Sequence, residues 1–154
     1  MEHAEQVAPA AESIDDAPPT ISGYENFCIL GFGGFSRVWS ANRTGQAQSV
    51  AIKVSITRND PRFSKEADAM RRLGAGVCPE LIEEGITSGG FPYIAMEQVD
   101  GVSLGHWLAS CEHRVPPLRA SMELFAKLCA LVQTTHEREL LHRDLKPENV
   151  MVLK

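Results

Sequence analysis

The sequence predicts an α+β fold in which a part rich in strands precedes a part made of helices. Short apolar segments joined by glycine-containing turns fill roughly the first hundred residues, which is typical of strands arranged in hairpins. After Pro117, apolar residues recur at spacings of three and four, which is typical of an amphipathic helix. Separation of sheet and helices along the chain favours two lobes.

Five segments are predicted to be strands. The first two flank the glycine-rich turn 31–34, which indicates a hairpin. In the third, Val50, Ile52 and Val54 share one face by simple alternation. The last two are joined by the turn 88–90. The segments cover residues 27–30, 36–41, 49–54, 81–87 and 93–99.

Three segments are predicted to be helices. In the first, Asp60 is a good N-cap, Pro61 fits the first helical position and Gly74 suits the exit. A short helix is predicted over 104–109, and Pro117 fixes the start of a long one. The apolar stripe of the long helix contains Leu118, Met122, Phe125, Cys129, Val132 and His136.

Composition limits the function classes. The chain of 154 residues has room for about one domain, and 44% hydrophobic with 23% charged residues is ordinary for a soluble fold. A formal net charge of −5 argues against nucleic acid or an anionic membrane as the main partner. Residues 1–22 are rich in Ala, Pro, Glu and Asp, so we expect a disordered tail before a domain over 23–154.

Cysteine spacing and the N-terminal residues predict a cytoplasmic protein. The four cysteines, at positions 28, 78, 111 and 129, lack the spacing of a zinc site or a disulfide framework, and we expect reduced thiols. Residues 1–20 contain five acids, neither Lys nor Arg, and no apolar run, so no signal peptide is predicted. No segment has the apolar length of a membrane span.

A polar segment near the C-terminus carries the most specific pattern. It reads His142-Arg143-Asp144-Leu145-Lys146-Pro147-Glu148-Asn149. The segment resembles the catalytic loop of eukaryotic-type (Hanks-type) protein serine/threonine kinases, where three residues separate His-Arg-Asp-Leu from Asn. The alternative is a charged surface turn after a helix.

The resemblance implies a reaction and a set of roles. It implies transfer of the γ-phosphate of ATP, with Mg²⁺, to Ser or Thr of a protein substrate. Asp144 would accept or orient the hydroxyl proton, and Asn149 would be a ligand of Mg²⁺. Lys146, two residues after Asp144, would stabilise the transferred phosphoryl group and is typical of Ser/Thr rather than Tyr kinases.

Two further residues match the family's ATP site as a pair. Val50-Ala51-Ile52-Lys53 matches the family's Val-Ala-Ile-Lys, so Lys53 is expected to bind the α- and β-phosphates. Without that context, Lys53 would extend to water along an edge strand. Glu66 shares a helical face with apolar residues and is the expected partner of Lys53, unless it lies solvated at the edge of that face.

The remaining ATP contacts follow from the same resemblance. The glycine-rich loop would bind phosphates, with a serine in place of the third glycine, although an ordinary glycine-rich hairpin would read the same way. The segment 95–101 resembles the hinge between kinase lobes, where Met96 would be the gatekeeper beside the adenine. Core packing is the alternative for Met96 and Val38. The implied ATP contacts are Gly31, Gly33, Gly34, Ser36, Val38, Ala51, Met96, Glu97, Val99 and Ser103.

The resemblance covers about residues 24–154 and implies a kinase-like fold. An N-lobe of five antiparallel strands and one helix would occupy about 23–100, and a helical C-lobe would begin at about 101. The family's Asp-Phe-Gly and activation segment do not occur, so we expect an incomplete C-lobe, weak binding of metal and ATP, and poor turnover by the chain alone. The alternative function is a catalytically incompetent, pseudokinase-like fragment that binds a nucleotide or a partner.

Overall fold

A computed structural model describes residues 17–111 and 116–154. Within these residues, a short 3₁₀ turn at Pro147–Asn149 accompanies the strands and α-helices. The strands are β1 (Tyr24–Phe32), β2 (Ser36–Arg43), β3 (Ser49–Ser55), β4 (Leu81–Ile86), β5 (Pro92–Glu97), β6 (Gly101–Ser103) and β7 (Met151–Leu153). The helices are α1 (Pro61–Leu73), α2 (Leu104–Ser110) and α3 (Leu118–Glu137).

The first five strands form one antiparallel sheet in the order β1-β2-β3-β5-β4. Its core is apolar and closely packed, since Ile52, Val54 and Ile94 are wholly buried. β-branched residues suit such strands because they pack well on a pleated surface. The predicted α+β fold with a five-stranded sheet and one accompanying helix is confirmed.

Contacts divide the chain into two compact units. The first contains the described residues up to Ser64 together with Glu83–Ala95, and the second contains Lys65–Ile82 together with Met96–Lys154. Most of the predicted tail lies outside the described residues. Near its end, Ile21 is buried, and the carbonyl of Thr20 accepts a hydrogen bond from the Ser88 amide. The predicted lobe boundary at about residue 100 stays a prediction.

Helix α1 begins and ends as its sequence predicts. The carboxylate of Asp60 accepts the backbone N–H of Arg62 at 3.0 Å, which satisfies one of the free amides of the first turn. At the other end Gly74 has φ +65°, and its amide donates to the carbonyl of Met70 at 2.8 Å. This is the left-handed exit that glycine adopts without strain.

A small second sheet, formed by β6 and β7, joins the two ends of the segment 101–154. β6 pairs antiparallel with β7, in the register Gly101 to Leu153, Val102 to Val152 and Ser103 to Met151. A Cβ at Gly101 would lie 2.5 Å from the carbonyl oxygen of Val152, so only glycine permits this approach. The sequence did not predict these strands.

The long helix α3 presents apolar side chains of its stripe to solvent. Leu118, Met122 and Phe125 are each at least 65% exposed. The same face borders an open groove of about 670 Å³, which Phe125, Cys129 and Leu145 help to line. Within the described ranges, no helix is both long and apolar enough to cross a membrane. All four cysteines are free thiols.

Candidate active site

The polar segment after α3 folds into a compact loop around Asp144. The side-chain amide of Asn149 donates to the Asp144 carbonyl at 2.8 Å and to its carboxylate at 3.0 Å. The Lys146 ammonium lies 2.9 Å from the same carboxylate oxygen. The loop therefore brings together the three residues that the sequence assigns to catalysis and metal binding.

Backbone geometry positions the Asp144 side chain. The Asp144 amide donates to the carbonyl of His142 at 2.8 Å. Arg143 between them has φ +62°, in the left-handed region that non-glycine residues rarely adopt. Such conformations persist where the surroundings determine them strongly, and they occur often at functional sites. The 3₁₀ turn that follows returns Asn149 to Asp144.

Electrostatics keep Asp144 ionised. The Lys146 ammonium, and after it the Asn149 amide, hold the pKa of the Asp144 carboxyl below its usual value. Asp144 in turn raises the pKa of Lys146. Both side chains are well exposed, at 66% and 48%, so water and salt screen the pair. At neutral pH the loop presents a carboxylate beside an ammonium group.

In the first unit, most of the predicted ATP contacts lie on one face of the β1–β2–β3 hairpins. Val38 pairs with Gly31 on one side and with Lys53 on the other, and cross-strand partners point to the same face. Ser36 and Ala51 lie two residues from Val38 and Lys53, so they share that face. The pairing register therefore places five of the predicted contacts on the same face of the sheet: Gly31, Ser36, Val38, Ala51 and Lys53.

The glycine-rich loop is the tight connection between β1 and β2. The Gly33 amide donates to the Ser36 carbonyl at 2.8 Å, which closes the turn. A Cβ at Gly33 would lie 3.0 Å from the Ser36 hydroxyl, whereas a Cβ at Gly31 or Gly34 would meet nothing within 4 Å. Space for an approaching group therefore remains beside these two glycines.

Lys53 belongs to the first unit and Glu66 to the second. The Lys53 side chain is half-buried, and its ammonium lies 5.7 Å from the centroid of the Phe63 ring. Glu66 is also half-buried. It lies on α1 at the border between the side that buries Ala67 and Met70 and the side that faces solvent. Their predicted pairing stays a prediction.

The predicted hinge contacts lie in the second unit. Met96 and Val99 are half-buried, whereas Glu97 is exposed. The Glu97 amide donates to the carbonyl of Glu80 at 2.9 Å. This amide is therefore already hydrogen-bonded to the residue that precedes β4. Ser103 has a structural role that the sequence did not predict, because its hydroxyl caps α2 by accepting the His106 amide at 3.1 Å.

The side chains fit a nucleotide phosphate with Mg²⁺. Mg²⁺ commonly takes one or two carboxylates, with waters and substrate phosphates completing its six oxygen ligands. Asn149 keeps its amide oxygen as an acceptor for such a metal because its NH₂ group faces Asp144. Among the described residues, no cluster of three His, Cys, Asp or Glu could hold a metal by itself. The Asn149 amide oxygen suits a metal whose other ligands are phosphate oxygens and waters.

Sequence reasoning missed the residues that hold the glycine-rich loop from outside. Arg62 lies over the ring of Phe35 at 4.1 Å, and Arg37 donates to the carbonyls of Gly33 and Ser36 at 3.1 and 3.3 Å. Aromatic and arginine side chains flank the glycines in the sequence, but nothing in their spacing indicates which pairs meet.

Fold and loop together define a protein-kinase-like structure. The crystal structure of the PknI kinase domain of Mycobacterium tuberculosis superimposes with a TM-score of 0.69 at 25% identity. The match covers 94% of this chain and 57% of that one.

The family model described as "Protein kinase domain" matches residues 24–154, and the chain belongs to this family. Curated relatives include serine/threonine-protein kinase PknB of Mycobacterium leprae (strain TN), 34% identical over 145 residues. PknB of Mycobacterium tuberculosis (strain H37Rv) is 36% identical over 138 residues. The matches cover 88% and 84% of this chain but only 23% and 22% of those relatives. The chain therefore spans less than a quarter of their length.

Proposed function

We propose that this chain contributes the ATP-binding sheet and the catalytic loop to a kinase that phosphorylates Ser or Thr of protein substrates. One observation carries the proposal. The pairing register places Gly31, Ser36, Val38, Ala51 and Lys53 on one face of the sheet, in a chain that also holds Asp144, Lys146 and Asn149 together. Family membership and the PknB relatives add to it.

The sheet face supplies the nucleotide site. Val38 and Ala51 present small apolar surface that suits an adenine ring, and Lys53 presents a cation two residues further along β3. Gly31 and Gly34 leave room for phosphate oxygens to approach the backbone. By the resemblance to the family, we propose Met96, Glu97, Val99 and Ser103 as further nucleotide contacts and Glu66 as the partner of Lys53.

The loop handles the acceptor hydroxyl. The depressed pKa of Asp144 makes it a weak base, so orienting the hydroxyl for in-line attack suits it better than removing its proton early. Lys146 offers positive charge to the oxygens of the transferred phosphoryl group, and Asn149 offers its amide oxygen to Mg²⁺. The metal, when bound, neutralises charge that develops on the phosphates.

Partners and compartment follow from the same chemistry. The acceptor is a protein with Ser or Thr, and the acidic net charge of −5 does not favour nucleic acid. We place the reaction in the cytoplasm, where ATP is abundant and thiols such as these stay reduced.

A phosphotransfer assay tests the assignment of Asp144. The protein expressed from its own gene is incubated with γ-labelled ATP, Mg²⁺ and a generic basic protein, followed by phosphoamino-acid analysis. We expect label on Ser and Thr, and a loss of roughly 100-fold or more in Asp144→Asn. Asp100→Asn is the matched control, because Asp100 is an exposed acid paired with Lys154 at 2.7 Å. Full activity in Asp144→Asn would refute the assigned role.

Nucleotide binding is tested on the 154-residue chain alone. Titration with Mg²⁺–ATP should give a saturable rise in melting temperature, because a ligand that binds the native state stabilises it. Lys53→Met should remove most of that rise. The absence of any rise in the unsubstituted chain would favour the catalytically incompetent fragment over the ATP-binding lobe.

A further inference from the structure

The tip of the glycine-rich loop is attached to the start of α1 through two side chains. The guanidinium carbon of Arg62 lies 4.1 Å from the centroid of the Phe35 ring. A cation this close to an aromatic face is attracted by the ring's quadrupole, and the planar guanidinium can also stack on it. Phe35 is 63% exposed, so no apolar core holds it in place.

Arg62 is itself immobilised by Asp60. Its Nε lies 2.8 and 3.0 Å from the two carboxylate oxygens of Asp60, and its Nη2 lies 2.7 Å from one of them. The Asp60 side chain is only 3% exposed and also accepts from the Ser55 hydroxyl at 3.3 Å. The ring of Phe35 therefore meets a cation that is fixed to the end of β3 rather than a free surface arginine.

Two further contacts tie the same loop to its surroundings. The carbonyl of Phe35 accepts the Ile56 amide at 3.2 Å, just beyond the end of β3. On the other side, the Arg37 guanidinium donates to Gly33 and lies 5.1 Å from the Phe32 ring. Glycine-containing loops lose much conformational freedom when they order around a ligand, so contacts that order them in advance favour binding.

We propose that Arg62 is a positioning residue which, through Phe35, holds the glycine-rich loop in a nucleotide-ready conformation before ATP binds. The proposal rests on the proposed function, because it assigns the phosphates of Mg²⁺–ATP to this loop. On this proposal, folding already orders part of the loop, so less conformational entropy is lost when the nucleotide binds. Loss of the Phe35–Arg62 contact therefore weakens nucleotide binding without removing any group that touches the nucleotide.

The test is a double-mutant cycle on the protein expressed from its own gene, with the Kd of Mg²⁺–ATP measured by isothermal titration calorimetry. Arg62→Leu and Phe35→Leu should each raise the Kd by roughly two- to fivefold, the range expected of an exposed cation–π contact. The double variant should be no weaker than the weaker single, because both remove the same contact. Arg62→Lys should restore part of the affinity. Phe35→Leu leaves the Asp60–Arg62 ion pair intact, so this single variant still tests the contact if Arg62→Leu folds poorly.

A second readout follows the loop without nucleotide. Exchange of the Ile56 amide, measured by NMR, should accelerate in both single variants, since its acceptor is the Phe35 carbonyl. Arg58→Leu is the matched control, because Arg58 lies 5.5 Å from the Phe91 ring and belongs to another cation–π pair. It should change neither the Kd nor the exchange of Ile56.

The outcomes separate the two proposals. Failure of the unsubstituted protein, expressed from its own gene, to bind Mg²⁺–ATP would overturn the proposed function, and with it the nucleotide role of Arg62. Three outcomes would overturn the inference while leaving the proposed function standing. The first is wild-type affinity in both single variants, and the second is additive losses in the double variant. The third is a loss of affinity that only follows the drop in melting temperature of each variant. Unchanged Ile56 exchange would remove its structural basis.

Discussion

Replacement of Asp60 should show how strongly one carboxylate stabilises the first unit. Asp60 caps α1, binds the Arg62 guanidinium through both oxygens and accepts from the buried Ser55 hydroxyl. Asp60→Ala removes all three interactions, whereas Asp60→Asn keeps an acceptor at the N-cap and removes the charge. The two substitutions therefore separate the cap from the ion pair.

The magnitude follows from burial. Loss of an N-cap costs about 1 kcal/mol, and a buried hydroxyl that loses a partner costs about another 1 kcal/mol. The ion pair adds no more than about 1 kcal/mol, because 51% of the Arg62 side chain is exposed and the pair is screened. We expect Asp60→Ala to lower the free energy of unfolding by about 2–3 kcal/mol and Asp60→Asn by about 1 kcal/mol.

Urea denaturation, followed by the fluorescence of the buried Trp39, measures both changes in the same unit. Asp68→Asn is the control: it removes the same charge from an exposed pair with Arg71 and should shift stability by less than about 0.5 kcal/mol. If Asp60→Ala costs no more than this control, the assigned roles of Asp60 are wrong.

The pH dependence adds an independent check. Hydrogen bonds from Arg62 hold the pKa of Asp60 below its ordinary value. Because the folded pKa is depressed, the stabilisation is fully present above the unfolded pKa of about 3.9 and is lost as pH falls through the folded value. The stability difference between the unsubstituted chain and Asp60→Asn should therefore persist at neutral pH and shrink below about pH 4.

Three shorter predictions test local packing. Gly85→Ala should lower the melting temperature, with a cost of roughly 1–3 kcal/mol, because its Cβ would lie 2.7 Å from the Tyr93 ring; an unchanged melting temperature would contradict this packing. Gly101→Ala should break the pairing of β6 with β7, seen as faster amide exchange in both strands, and retained protection would show that the backbone yields more easily than the contact implies. Burial raises the pKa of the Cys78 thiol, so at pH 8 a disulfide reagent should label the exposed Cys129 before Cys78, and the reverse order would place Cys78 at the surface.

Much of the fold could be predicted because local signals agreed with it. Asp60, Pro61 and Gly74 specify both ends of α1, and each behaves as expected. The alternation in β3 and the glycine-rich turn between β1 and β2 likewise predicted the hairpins of the sheet. These features depend on residues close in sequence, where propensity and pattern are informative.

The rest depends on contacts between distant residues. β6 and β7 have three residues each, too few for a periodic pattern, and they pair across about fifty intervening residues. Ser103 resembles a ribose contact by position, yet its hydroxyl caps α2. The Phe35–Arg62 contact joins a loop to a helix start and has no sequence signature. For the candidate site, the motif predicted the compact loop around Asp144, while the roles of its residues stay predictions.

Labelling with an acyl-phosphate derivative of ATP tests the phosphate site most directly. Such a probe acylates a lysine that lies beside its phosphates, and peptide mass spectrometry identifies the modified residue. The account predicts preferential labelling of Lys53 or Lys146, the two lysines assigned to the phosphates, and suppression of that labelling by excess Mg²⁺–ATP. Labelling that is instead spread evenly over exposed lysines such as Lys65 and Lys127, and insensitive to ATP, would contradict it.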